Sequence, residues 1–218
     1  MGKFGSKELR AKKKGVVGLG TVTDPYQPAE KKYEITRRCL ELLLMHDFPV
    51  CIQTKSSLVL RDMDLLKRFS NIEVGMTLTA LDDGVRGKLE PGASSVEERL
   101  RALVELGENG INTWVFLGPV MPYITDAEAL AEAIAAVKPK YVLVDRLRLK
   151  EGVWDRVKGF VQGLEPELLP GYERIFQGGE DYYSGVFERV LMRCAEKGMR
   201  CERFLPNSIQ LKVKYDGV

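Results

Sequence analysis

The chain has 218 residues, 44% of them hydrophobic and 29% charged, with a net charge of +2. These are ordinary values for a folded domain, so disorder and fibrous repeats are excluded, and the length allows a sizeable core with or without an appendage. No apolar run reaches the roughly 18–20 residues that span a bilayer, and the stretch from Met1 to Lys14 has no segment of signal-peptide type, which predicts a cytoplasmic protein with no membrane partner.

The small net charge hides an asymmetry. Lys3, Lys7, Arg10, Lys12, Lys13 and Lys14 stand against Glu8 alone, so residues 1–14 carry +5 and the remainder −3. A basic arm of this kind can neutralise phosphates, which makes nucleic acid its candidate partner, although a solvated tail is the commoner meaning of such a run.

Five short apolar, β-branched runs follow the arm: Val16 to Gly20, Val50 to Thr54, Ile72 to Thr79, Asn112 to Gly118 and Tyr141 to Leu147. Each is followed by a polar turn and a segment of helical period, the pattern of βα units, and most read as apolar on both faces, as parallel strands covered on both sides must be. Ile35, Cys39, Leu42 and Leu43 recur at helical spacing and predict one buried stripe; Val96, Leu100, Leu103 and Val104 predict another. Ala127, Leu130, Ala131 and Ile134 predict a third, with Asp126 as its cap. A shorter crossover should start at a cap on Asp62 and run through Leu65, Leu66 and Phe69 to Asn71.

Beyond residue 150 the rhythm changes. A helix is expected around Val157, Phe160 and Val161, then a loop from Pro166 to Gly179, a helix with Phe187, Val190, Leu191 and Cys194, and a short strand from Ile209 to Val213. The division is therefore a basic arm at 1–14, a β/α body at 15–150 and a C-terminal helical cap at 151–218.

In parallel β/α proteins ligands meet the carboxyl ends of the strands. Here those ends read Thr21-Val22-Thr23-Asp24-Pro25, Thr54-Lys55-Ser56-Ser57, Thr77-Leu78-Thr79, Pro119-Val120-Met121-Pro122 and Asp145-Arg146. A dinucleotide fingerprint at Gly18-Leu19-Gly20 fails, because Thr23 takes the third glycine position and Pro25 sits where the helix should run. His46 is the single histidine, at the end of the first helix, where a cation suits the dipole; a histidine-rich metal site is excluded and a Ser-His-Asp triad has no base at a strand end. The four cysteines, Cys39, Cys51, Cys194 and Cys201, lack metal-knuckle spacing and are expected to be buried structural thiols. No cluster of aromatic residues suited to stacking on bases is evident.

Four strings now become informative together. Gly20-Thr21-Val22-Thr23-Asp24-Pro25-Tyr26-Gln27-Pro28, Thr54-Lys55-Ser56 followed by Arg61-Asp62, Leu89-Glu90-Pro91-Gly92-Ala93, and Glu98-Arg99-Leu100 resemble, in order and spacing, the motifs of radical S-adenosylmethionine proteins related to spore photoproduct lyase, also called DNA repair photolyases. The resemblance runs from about Leu9 to Leu147. It implies an α/β fold, a TIM-like (β/α)6 partial barrel of parallel strands, with S-adenosylmethionine and a [4Fe-4S] cluster at the strand ends. It also implies the activity: reductive cleavage of S-adenosylmethionine to a 5′-deoxyadenosyl radical, which abstracts hydrogen from a substrate. By motif position Thr23 and Asp24 would lie near the methionine amino group with Thr21 supporting their turn. Lys55, Ser56, Thr77 and Thr79 would line the ribose and carboxylate side. Glu90 and Arg99 would brace the following loop, or form a plain surface salt bridge.

The family's CxxxCxxC loop has no counterpart in this sequence, and the first strand of the family pattern is also without a match. The expectation is a barrel lacking its first βα unit, with a cluster that the complete protein would hold and this chain would not. The edge at Val16 to Gly20 would then be open and is expected to pair, as in a homodimer. Two other functions stay in view: a non-catalytic nucleic-acid-binding or scaffold remnant, and a metal-independent enzyme using Lys55 as a Schiff-base nucleophile.

Overall fold

The computed structural model describes residues 15–149, 152–178 and 181–204. The basic arm and the expected strand from Ile209 to Val213 lie outside them. Six strands form one parallel sheet in chain order: β1 (Val17–Leu19), β2 (Val50–Thr54), β3 (Ile72–Leu78), β4 (Asn112–Val120), β5 (Tyr141–Arg146) and β6 (Cys201–Arg203). Among the described residues β1 and β6 are the two edges of the sheet, which is a partial barrel. The helices are α1 (Glu30–Tyr33), α2 (Ile35–Met45), α3 (Met63–Leu66), α4 (Asp83–Leu89), α5 (Val96–Glu108), α6 (Ala127–Ala136), α7 (Val153–Leu164), α8 (Leu169–Phe176) and α9 (Tyr182–Glu196). Among the described residues no helix is long and apolar enough to cross a membrane.

Register fixes which residues share a face. Val50, Ile52, Val74, Met76, Val115, Leu117, Val142 and Val144 align across the sheet and belong to one buried apolar core with the helices. The residues between them make the opposite, inner face: Cys51 and Gln53, then Glu73, Gly75 and Thr77, then Trp114 and Phe116, then Tyr141 and Leu143. The strands are thus apolar on the helix side and mixed inside, which corrects the expectation of apolar residues on both faces. Gly75 leaves room for its neighbour: a Cβ there would come within 2.1 Å of the Trp114 ring. The indole stacks on Tyr141 at 5.7 Å.

Local signals hold at α5 and α6. Ser95 and Glu98 form a complete capping box, and the Asp126 carboxylate accepts the Ala129 N–H at 2.9 Å. Four expectations are corrected. Asp62 precedes α3 without capping it; its fully buried carboxylate instead accepts hydrogen bonds from Tyr26, Arg37 and Arg61. The segment from Pro166 is a 3-10 turn (Pro166–Leu168) and then α8, since proline is tolerated in a first turn, where its missing N–H is not needed. Cys201–Arg203 joins the sheet beside β5, so part of the C-terminal region extends the sheet as well as covering it. Lastly, Ile35, Cys39 and Leu42 of α2 are exposed, and its buried side is Leu40 with Leu43 and Leu44.

Burial alone would raise the Asp62 carboxyl, yet the hydrogen bonds from Arg61 and Arg37 outweigh it and hold it below the ordinary carboxylate value. A carboxyl depressed in the folded state stabilises it above the unfolded value of about 3.9, and that contribution is lost as pH falls through the folded value. Melting temperature is therefore expected to drop with pH below about 4. Asp62→Asn should melt lower at pH 7 and show a shallower acid slope; an unchanged slope in melts across this range would contradict the assignment.

Candidate functional site

The turn after β1 can be made only with glycine at its start. Gly20 has φ +100°, and a Cβ would stand 2.0 Å from the Gln53 carbonyl oxygen. The close approach puts Asp24 over the end of β2, where its carboxylate accepts from the Tyr26 N–H at 2.8 Å, the Thr54 hydroxyl at 2.6 Å and the Lys55 N–H at 2.7 Å. Thr54 in turn accepts the Ser56 N–H at 3.1 Å. Asp24 is therefore a clamp between two strand ends with one of about four acceptor positions left for a ligand. Gly20→Ala is expected to lower stability by about 2 kcal/mol through backbone strain, read as an earlier thermal melt.

The ends of β2 and β3 meet around Glu90. Its carboxylate accepts from Arg99 at 2.6 Å and from the Thr79 hydroxyl at 2.8 Å, and the Lys55 ammonium lies 3.9 Å away. Arg99 is fully buried and also donates to the carbonyls of Ser94 at 2.9 Å and Thr77 at 2.7 Å. Between a brace and a surface salt bridge, burial decides for the brace. The loop it holds returns to β2, with the Ser94 N–H on the Lys55 carbonyl at 3.0 Å and the Ser57 N–H on the Ser94 hydroxyl at 2.9 Å. On the inner face Gln53 donates to the Thr77 hydroxyl at 3.0 Å.

Asp24, Lys55, Thr79, Glu90 and Arg99 are thus one connected set. Thr21 and Thr23 stand exposed on the turn beside it. Ser56 caps the 3-10 segment Ser57–Asp62 by accepting the Leu58 N–H at 3.3 Å, and it lines an adjoining cavity of about 440 Å³ with Tyr26, Lys31, Arg61 and Ser94; the other six candidate cofactor ligands do not line that cavity. Thr54, Gln53 and Ser94 were not among the expected site residues. Gln53 is two positions from Lys55, so the period of a strand could have found it. Ser94 could be found only from the folded loop.

A Schiff-base lysine is activated by removal from water or by a neighbouring cation. Lys55 is 38% exposed and faces a carboxylate, so neither condition is met. The cysteines are dispersed: Cys39 is exposed on α2, against expectation, Cys51 is buried on β2, and Cys194 of α9 adjoins Cys201 of β6. Among the described residues no group of three or more His, Cys, Asp or Glu side chains could hold a metal ion. The fold also assembles aromatic rings that the sequence reading did not group. Trp154, Phe176, Tyr172, Tyr123, Tyr182, Tyr183 and Phe187 follow one another at centroid distances of 5.0–6.3 Å, from the turn after β4 into α7, α8 and α9. No local signal joins rings so far apart in the chain.

A parallel sheet open between β1 and β6, with cationic, hydroxyl and carboxylate groups at its strand ends, defines a β/α partial-barrel protein. The chain belongs to the radical SAM superfamily, whose family model matches residues 6–134. It is 40% identical over 164 residues to an uncharacterized protein of Methanocaldococcus jannaschii, a match covering 74% of this chain and 60% of that protein. It is 32% identical over 129 residues to a radical SAM Nalpha-GlyT isomerase of Pseudomonas phage M6, covering 58% of this chain and 27% of the isomerase. The fold resembles that of spore photoproduct lyase with bound AdoMet and dinucleoside spore photoproduct, with TM-score 0.53, 15% identity, and coverage of 72% of this chain and 47% of the lyase. The chain spans at most three fifths of the length of these proteins.

Proposed function

We propose that this chain forms the S-adenosylmethionine-binding part of a radical enzyme related to spore photoproduct lyase, with the methionyl end of the cofactor held at the ends of β2 and β3. The observation that carries this reading is the state of Lys55. Its nearest carboxylate, Glu90, is already engaged by Arg99 and Thr79, so the half-exposed ammonium keeps donors for a ligand carboxylate. The donor set suits the rest of the molecule as well. Asp24 retains an acceptor position and, with the Thr23 hydroxyl, suits the methionine ammonium on the turn that Thr21 supports. Ser56 offers a hydroxyl to the ribose and carboxylate side, whereas the Thr77 and Thr79 hydroxyls, expected there too, are buried and engaged with Gln53 and with Glu90, so their part is to support that side.

When bound beside a [4Fe-4S] cluster, S-adenosylmethionine supplies one-electron cleavage and hydrogen abstraction. This chain's residues position that cofactor: the Glu90–Arg99 brace fixes the loop behind Lys55, and the Asp24 clamp holds the two strand ends in register. The cluster's thiolates are proposed to come from a segment outside these residues, because the four cysteines do not converge. Calorimetric titration of the folded chain tests the reading. S-adenosylmethionine should release heat at a single site, and its decarboxylated analogue should bind more weakly. Absence of heat from a sample whose melting curve shows a cooperative fold would refute it.

A further inference from the structure

The cavity of about 440 Å³ is bounded by the turn after β1, the turn after β2 and the loop before α5, and Ser56 is the one candidate cofactor ligand that reaches it. Its walls are fixed by bonds of their own. Glu30, buried at the start of α1, accepts the Thr36 N–H at 3.0 Å and an Arg61 N–H at 2.9 Å, which anchors the short helix that carries Lys31. The loop before α5 is tied to β2 through the Ser94 N–H on the Lys55 carbonyl, and Gly92 closes on Pro28 so tightly that a Cβ would stand 3.3 Å from the ring.

The lining carries hydrogen-bond donors that the fold itself does not use. The exposed Lys31 ammonium has no partner among the described residues. Arg61 spends its N–H groups on both Asp62 oxygens, the Glu30 carboxylate and the Glu30 carbonyl, which leaves a single N–H on Nη1. Ser56 accepts the Leu58 N–H and keeps its own hydrogen. The Ser57 and Ser94 hydroxyls, 3.0 Å apart, share one hydrogen, and Ser94 also accepts the Ser57 N–H at 2.9 Å, so this pair too has a hydrogen to give. Against these donors the lining sets one carboxylate, Glu98, whose Oε2 is taken by the Ser95 N–H and hydroxyl in the α5 capping box.

We propose that this cavity binds the phosphate group of a small organic phosphate, its oxygens on Lys31, Arg61 and the serine hydroxyls and its organic part against Pro28 and Leu58. The donors come from three separate segments, which suits a tetrahedral anion with acceptors on every side better than a planar carboxylate. The volume falls within the about 300–1,000 Å³ of small-molecule sites. The inference stands on the donors of this cavity and not on the cofactor reading, so either can fail alone.

Inorganic phosphate is the probe, added to the folded chain at constant ionic strength without S-adenosylmethionine, with heat of binding and amide exchange as readouts. Phosphate should bind saturably at one site and slow exchange at residues 56–58 and 92–94, while acetate should bind far more weakly. Lys31→Ala should weaken phosphate binding by about tenfold and leave the melting temperature without phosphate unchanged. Glu98→Gln, which keeps a side chain suited to the capping box, should tighten binding severalfold by removing the competing charge. Absence of saturable heat, or protection only outside these two segments, would overturn the proposal. Equal phosphate binding by the parent and Lys31→Ala would also overturn it, and would assign the effect to exclusion of the anion from the surface at large. Acetate binding as tightly as phosphate would refute the choice of a tetrahedral anion, and a lower melting temperature of Lys31→Ala without phosphate would show that the ammonium is already engaged within the chain.

Discussion

Arg99→Met is expected to lower stability by about 3–5 kcal/mol, because it leaves the Glu90 carboxylate buried without its guanidinium partner. The Ser94 and Thr77 carbonyls lose their donor in the same step. In a domain of this size the thermal midpoint should fall by about 6–20 °C. Removing both charges is less costly than removing one, so Glu90→Met in the Arg99→Met background should recover part of the loss. A single variant melting within a degree or two of the parent would show that the brace contributes little.

Lys55→Ala should act on binding and hardly at all on the fold. A charge-assisted hydrogen bond contributes about 1.5–3 kcal/mol, and the exposure of Lys55 places the effect toward the lower end, so affinity for S-adenosylmethionine should weaken by at least about tenfold. The variant should also lose the preference for S-adenosylmethionine over its decarboxylated analogue. That second readout separates contact with the ligand carboxylate from general damage to the site. Equal binding by parent and variant in calorimetry would remove Lys55 from the site.

The contrast between these two residues shows how the site is built. Arg99 works through Glu90 and the loop at Ser94, and reaches any ligand only by holding the end of β2 in place. Lys55 presents its charge to solvent on that fixed support. Glu90 joins the two, with one carboxylate oxygen toward Arg99 and the other shared by Thr79 and Lys55.

The sequence by itself determined strands β1–β5, α5, α6 with its Asp126 cap, and the short strings that name the family. These rest on local chemistry: β-branched runs, apolar residues at helical spacing, and an aspartate three residues before the N–H it accepts. It also placed Asp24, Lys55 and Thr79 at turns after strands, since every parallel β/α unit turns there, while Glu90 and Arg99 came only from the family strings. Only the tertiary structure decided what partners each of these takes. Asp62 reads as a cap from its sequence neighbours, while two of its three partners, Arg37 and Tyr26, stand 25 and 36 residues away. The apolar arc of α2 is wide enough to offer two faces, and periodicity cannot choose the one that meets the core. Cys201–Arg203 has no strand-like pattern of its own and pairs because β5 presents an edge beside it. Burial, pairing and ion-pair choice depend on contacts between distant segments, which no local window contains.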